Sequence, residues 1–459
     1  MRSPTWLLVA ALAACQSAKA PTDTAPATPE LGARVQQLST RALEDNQAIA
    51  TLAELIEAAP KRLSGSPGYT DAVQWGLAKM RAIGLQNVRA EPVMVPHWQR
   101  GAETAAIVGA DGVPLRVTAL GGSVPTPPGG VEAEVIEVRS FEQLAALGEA
   151  ARGKIAFFNR PMPRALRRTG SAYGEAVPQR SNGAIEAGKV GAIAALVRSV
   201  TTAIDEHPHT GAMHYQEDVT KVPSAAIATI DAEELARRLK LGPVRVRLEL
   251  GCQTLPDIEQ ANVIGELRGS ETPDEYVVIG GHLDAWDLGV GAHDDGAGIA
   301  HVLEAVRLLQ ACGVRPKRTI RVVLFANEEN GLRGAEAYAA AHAGELARHV
   351  AAIETDSGGF SPIGFSCSLR DEAAEQLRPL FAPLAEIGAG VFVPGAGAGG
   401  ADISTLHKAG VPCFGMWVDG QRYFDYHHTE VDTLAMVNER ELALGAATLA
   451  YAASVLADR

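Results

Sequence analysis

Gly280–Ala300 reads GGHLDAWDLGVGAHDDGAGIA, two histidines and four aspartates set among glycines and small apolar residues. A solvated loop would carry Lys, Ser and Asn, and a core segment would carry no acids. Further along, Glu328 adjoins Glu329, Asp356 follows, and His427–His428 lies near the C-terminus. Carboxylates crowded into one cleft repel each other and hold protons unless cations compensate them. His, Asp and Glu are the donors that suit Zn²⁺ or a similar divalent ion. The bland rival is that each acid caps a following helix. Capping accounts for Asp294 or Asp356 taken singly, but for neither His282 nor the Glu328–Glu329 pair.

These residues need elements that bring them together. EYVVIGGHLD reads as a buried strand ending in polar residues. GAGIAHVLEAVRLLQACG reads as an amphipathic helix with Ile299, Val302, Leu303, Val306 and Leu309 on one face. TIRVVLFANEEN is a second strand ending in acids, GAEAYAAAHAGELARH a helix, and VAAIETDSGG a third strand. Strand–helix–strand–helix–strand implies a doubly wound α/β sheet, whose parallel strands place their C-terminal ends, and so these polar groups, along one edge. Residues more than seventy positions apart are therefore expected to converge.

The chain has 459 residues, too many for one ordinary core, so two domains or one domain with a large insertion are expected. A net charge of −13 argues against nucleic acid as a partner. The first residues, MRSPTWLLVAALAACQS, carry an apolar run too short to span a bilayer and suited to export. Leu12-Ala13-Ala14-Cys15 resembles a bacterial lipobox, so residues 1–15 read as a lipoprotein signal that leaves Cys15 lipid-anchored. This places the protein at the cell envelope, on the periplasmic side of the outer membrane; the alternative is cleavage after Ala20 and a periplasmic or secreted product. Residues 16–30 read as a flexible tether and 31–104 as the helical N-terminal part of the main domain, broken at Pro60 and at Ser64–Pro67. Residues 105–255 carry short strand-like runs (VPLRVTALGG, VEAEVIEV, GKIAFFN, AAIATI) and one helix-like stretch, GAIEAGKVGAIAALVRS, and read as a strand-rich insertion; 256–459 complete the main domain. HPHTGAMHY (His207–Tyr215) reads as a surface loop, with a lid as the alternative. Cys252, Cys312, Cys367 and Cys413 show no C-x-x-C spacing, and their pairing is open.

Taken in order, His282-x-Asp284, Asp294 in a Gly-rich turn, Glu328–Glu329, Asp356 and the late histidine resemble the co-catalytic zinc exopeptidases of the M28 aminopeptidase class. VPHWQRG, GHLDAWDLG, RPKRT, AGVP and YHHTEVDT extend the likeness to nearly everything after the tether. The resemblance implies an α/β fold with a doubly wound mixed sheet and an inserted β-rich domain of the protease-associated kind. It implies two zinc ions per chain, held by His282, Asp294, Glu329, Asp356 and His428, with Asp294 shared and the Asp294–Asp295 peptide bond cis. Asp284 would orient the His282 imidazole, and Glu328 would be the general base for a hydroxide bridging the metals. Three ligand carboxylates and that hydroxide would balance the two cations. His427 is the near miss for His428. Trp286, Tyr423, His427 and Asp402 are weaker candidates for the substrate pocket; Asp402 lies in the Gly-rich run PGAGAGGADIS, which lacks a phosphate-loop pattern. His293 and His301, which the family pattern does not call for, read as a supporting residue and a helix-surface residue.

The expected activity is exopeptidase hydrolysis of dipeptides or of the N-terminal residues of short peptides, and homodimerisation is a family expectation. Two rivals share the fold: a single-zinc glutaminyl cyclase-like aminoacyltransferase, and a catalytically dead receptor, a route that usually loses ligands which are all present here.

Overall fold

The computed structural model describes residues 29–109 and 112–459, so the lipobox and nearly all of the tether lie outside the described residues. Three helices open the described chain: α1 (Pro29–Glu44), α2 (Ala48–Ala58) and α3 (Pro67–Ala82). The break before α3 is where the sequence marks it. Pro67 opens the helix, and the Ser66 hydroxyl accepts from the Tyr69 N–H at 3.2 Å, a side-chain cap.

The main sheet begins with β1 (Gln86–Gln99), after which the chain leaves to build a second sheet. That sheet comprises β2 (Glu103–Ile107), β3 (Val113–Leu115), β4 (Val117–Ala119), β5 (Val131–Val138), β6 (Ile155–Phe158), β7 (Ala194–Arg198), β8 (Ser224–Ile227) and β9 (Arg245–Leu250). The chain returns as β10 (Gln253–Leu267), followed by β11 (Thr272–His282), β12 (Arg318–Phe325), β13 (His349–Glu354), β14 (Pro362–Cys367), β15 (Val391–Pro394) and β16 (Cys413–Val418). Among the described residues the main sheet has eight strands in the order β1-β10-β12-β11-β13-β16-β14-β15. β12, β11, β13 and β16 run parallel at its centre, while β1, β10 and β14 introduce antiparallel pairs, so the sheet is mixed.

Both faces of the centre are covered, as parallel strands require. Helix α8 (Ala297–Ala311) and the C-terminal helix Glu439–Asp458 pack on one face. Tyr338, Ile403 and Leu406 pack on the other, against Val278, Val323 and Phe325. The apolar stripe expected on α8 is buried, but so is His301, whose Nδ1 lies 3.1 Å from Thr355 Oγ1. His301 is thus no surface residue. The C-terminal helix covers the flank of α8 that an amphipathic reading leaves to solvent, and at Gly445 a Cβ would come within 2.3 Å of the His301 ring.

The second sheet runs β3-β2-β9-β5-β6-β7-β8-β4 with β5 to β8 parallel. Parallel neighbours need crossovers; helices α4 (Phe141–Leu147), α5 (Thr169–Ala176), α6 (Pro178–Lys189) and α7 (Thr229–Leu239) accompany these strands. The stretch read as one helix is the end of α6 and then β7, separated at Gly191 with φ +71°. All four cysteines after the tether are free thiols.

Candidate metal centre

His282 is the last residue of β11, paired with Phe325 at the end of β12, and Gly280 pairs with Glu354 at the end of β13. The parallel register therefore delivers His282, Glu328–Glu329 and Asp356 to one sheet edge. A turn between β11 and α8 adds Asp294, and the segment after β16 adds His427 and His428.

Asp294 is the hub. Its Oδ1 lies 3.3 Å from His282 Nε2, and its Oδ2 lies 3.1 Å from His428 Nε2 and 3.5 Å from His427 Nε2. His428 Nε2 is also 3.0 Å from Glu329 Oε2, and His282 Nε2 is 3.7 Å from Asp356 Oδ1. All five expected ligands thus gather in two groups that share Asp294. The Asp294–Asp295 bond is cis. His427 comes closer than expected, stacked on His428 with ring centroids 3.5 Å apart. Asp295 also lies near His282 and Asp356. Its oxygens, however, accept from the His282 and Gly298 backbone N–H groups at 3.1 and 3.0 Å, which occupies it structurally.

Three atoms of the expected ligands, His282 Nε2, Asp294 Oδ2 and Asp356 Oδ1, are buried without a hydrogen bond. Buried polar atoms are ordinarily satisfied, so these converging orphans fit a cation. The proton balance agrees. Burial and the neighbouring Asp294 charge push Glu329 up to about 7, and burial pushes Glu328 well above its ordinary range. Burial disfavours a charged His428, yet Glu329 and Asp294 carry it up to about 9. Protein groups alone would trap protons here; divalent ions would replace them.

Supporting contacts were legible only in part. Asp284 does not orient His282 through its carboxylate: His282 Nδ1 meets the Asp284 backbone carbonyl at 3.0 Å, against 3.7 Å to Oδ1. The carboxylate instead accepts from the Glu328 and Glu329 backbone N–H groups at 3.1 and 3.3 Å and from Ser64 Oγ at 3.1 Å, fixing the Glu-Glu turn. That turn lies beyond the strand and is entered through Asn327 at φ +66°, so turn geometry rather than strand alternation separates the two glutamates. Asp432, quoted only as part of a motif, accepts from the His293 and Asp294 N–H groups at 2.8 and 3.1 Å and fixes the hub. His293 stacks on Phe360 at 4.3 Å. Lys61 and Arg62 were missed. Arg62, fully buried, donates to the carbonyls of Leu283, Val290 and Gly291, and Lys61 to those of Asp287, Leu288 and Gly289, so together they clamp the loop between His282 and Asp294.

The middle of the His-rich loop, His209–Gly211, is buried against the late histidines, while His214 is exposed. The Thr210 carbonyl lies 3.2 Å from His428 Nδ1, the Thr210 N–H donates to the His428 carbonyl at 3.1 Å, and His209 Nδ1 lies 2.7 Å from the His427 carbonyl. A backbone acceptor on Nδ1 turns His428 Nε2 toward Asp294 and Glu329, the familiar outer-shell support of a ligand histidine. Of the weaker candidates, Tyr423 lines a cleft that opens on Asp356, together with Thr169, Ser171, Trp417 and Phe424. The Trp286 ring presses on Gly121 and on Trp98 and also lies 5.9 Å from the His428 ring, lining a small cavity with Asp294, Glu329 and His428, while its backbone N–H donates to Glu329 at 3.2 Å. Asp402 is fully buried behind Glu354, with both oxygens unpaired.

The profile of peptidase family M28 matches residues 262–453. Carboxypeptidase Q from Mus musculus is 37% identical over 90% of this chain and 86% of its own length. A solved Peptidase M28 precursor from Shewanella amazonensis SB2B superposes with a TM-score of 0.90 at 38% identity, covering 94% of this chain and 97% of that one. A zinc aminopeptidase from Bacillus subtilis shares the fold, with a TM-score of 0.64 at 20% identity over 88% of this chain and 93% of its own.

Proposed function

The chain belongs to peptidase family M28, and from that footing we propose a metal-dependent exopeptidase that hydrolyses dipeptides or the N-terminal residues of short peptides. His282 and Asp356 would hold one zinc ion and Glu329 and His428 the other, with Asp294 shared between them. Bound there, the cations would supply Lewis-acid polarisation of the scissile carbonyl and a lowered pKa for the attacking water. Glu328 is the general base: it takes a proton from the attacking water and returns it to the leaving amine. Asp284 holds the backbone of Glu328 and Glu329, so base and ligand keep their separation. Asp432 and the Thr210 carbonyl hold Asp294 and His428 in register. The inserted unit, a protease-associated-like domain in this reading, forms one wall of the cleft through α5.

One observation carries the proposal: both oxygens of Asp294 meet imidazole Nε2 atoms from two distant segments, with unsatisfied donors and acceptors around them. Metal analysis and a dipeptide panel with free and acetylated N-termini test it. Two metals per chain and a need for the free amine are expected. One metal with pyroglutamate release would establish the cyclase reading, and metal without hydrolysis the receptor reading.

A further inference from the structure

VPHWQRG (Val95–Gly101) and GHLDAWDLG (Gly281–Gly289) lie far apart in the sequence and meet in the structure, through residues that the proposed chemistry leaves unused. Trp98 packs edge-on against Trp286, with ring centroids 6.4 Å apart. Arg100 is the first residue after β1, where the chain leaves for the inserted domain, and it pairs with Asp287. Its Nε lies 2.9 Å from Asp287 Oδ2 and its Nη2 lies 2.8 Å from Oδ1, the parallel two-bond fit of a guanidinium to a carboxylate. The other donors go to the inserted domain. Nη1 donates to Thr118 Oγ1 at 2.6 Å and to the Ala119 carbonyl at 2.7 Å, and Nη2 donates to Thr210 Oγ1 at 3.2 Å. The guanidinium also stands 5.0 Å from the Trp98 ring centroid, and the side chain is only 11% exposed. A rigid planar fork with these partners fixes the distance between the metal loop and the inserted domain.

Each branch of the fork leads to one proposed ligand of the same metal. Asp287 follows Trp286, whose backbone N–H donates to Glu329 Oε1 at 3.2 Å. Thr210 presents its carbonyl to His428 Nδ1 at 3.2 Å. Glu329 and His428 are the pair assigned to one zinc ion, and their own atoms meet at 3.0 Å. The other pair is held from within the main domain. His282 Nδ1 faces the Asp284 carbonyl at 3.0 Å, Ser64 Oγ donates to the Asp284 carboxylate, and Arg62 grips the Leu283 and Gly291 carbonyls. Among the described residues, Arg100 hydrogen-bonds to nothing that hydrogen-bonds to His282 or Asp356.

We propose that Arg100 is a positioning residue for one metal subsite alone. Through Asp287 it sets the N–H that meets Glu329, and through Thr210 it sets the carbonyl that orients His428. The docking of the inserted domain therefore governs how tightly the Glu329–His428 zinc ion is held, and leaves the His282–Asp356 ion untouched. The inference rests on the two-zinc assignment given above.

Zinc-loaded protein is titrated with a competing chelator and analysed for zinc per chain. Arg100→Gln should raise the Kd of one ion by about 10–100-fold, the usual effect of removing outer support from a ligand, and leave the other within about twofold. Arg100→Lys keeps the charge without the fork and should fall between variant and wild type. Asp287→Asn and Thr210→Val each cut one branch and should loosen the same ion; they carry the test if Arg100→Gln does not fold. A second substitution identifies that ion. Adding His282→Ala to Arg100→Gln should strip the tightly held zinc, whereas adding His428→Ala should not. A general structural role would loosen both ions together, so equal loss of both overturns the proposal, as does loss of neither or a tight ion that depends on His428. A wild type that binds a single zinc overturns the two-zinc assignment along with it. Selective loss from a protein that cleaves no peptide upholds this inference and overturns the exopeptidase reading.

Discussion

The strand-edge residues proposed as ligands and the His209–Gly211 loop of the inserted domain both border the candidate metal centre, yet they are encoded in different ways. His282, Glu329 and Asp356 would act through side chains whose chemistry is named by the residue type, and each stands at or beyond the end of an apolar strand. The loop acts through a main-chain carbonyl at Thr210, a group every residue possesses. A site built from both is only partly visible in its sequence: what escapes is whatever acts through the main chain, from the inserted loop as from the Lys61–Arg62 clamp.

Four measurements probe that contrast, in falling order of effect. Glu328→Gln should lower kcat by about 10²–10⁴-fold, the usual contribution of a positioned acid–base group, with both metals retained; metal analysis beside kinetics checks both parts, and an active variant removes Glu328 as base. Arg62→Met removes a buried cation that binds three carbonyls near Asp432, Asp284 and Asp295. A loss of about 3–5 kcal/mol in unfolding free energy is expected, as when one member of a buried charge set is deleted, and denaturant titration of the metal-free protein measures it. Asp432→Asn weakens the hold on the Asp294 backbone, and zinc affinity should fall about 10–100-fold in a competitive chelator titration. His209→Phe removes the contact to the His427 carbonyl while keeping an aromatic volume. Its net cost is on the order of 1 kcal/mol, a fewfold change in zinc affinity. If the His209 variant lost as much affinity as the Asp432 variant, the inserted loop would be an equal partner of the strand edge rather than a brace upon it.

The main sheet and the convergence of the candidate ligands could be read because strands ending in polar groups repeat three times, and parallel packing forces their ends together. The surroundings could not. Asp284 looks like a partner for His282 two residues away, but a carboxylate accepts wherever N–H groups converge, and the Glu328–Glu329 turn supplies two. His301 looks exposed because a helix pattern reports one buried face and is silent about a second helix covering another. Trp286 adjoins the motif in sequence, and its ring both fills space against Gly121 and lies near the His428 ring, a packing role that the motif alone does not specify. The parallel centre of the inserted sheet was missed because its strands are only four to eight residues long, and Gly191 fuses a helix and a strand into one apolar-looking run.

Gln99 and Gln253 face each other across the β1–β10 ladder, so the polypeptide departs for the second sheet and comes home at a single doorway. A body suspended there alone would swing. This one is also pinned where the Thr210 N–H donates to the His428 carbonyl and the Thr210 carbonyl meets the His428 imidazole. Thr169, Thr201 and His207 add contacts to Gly420, Phe424 and Glu430, so the second sheet is laced to the main domain along the wall of the cleft rather than hung from its doorway alone.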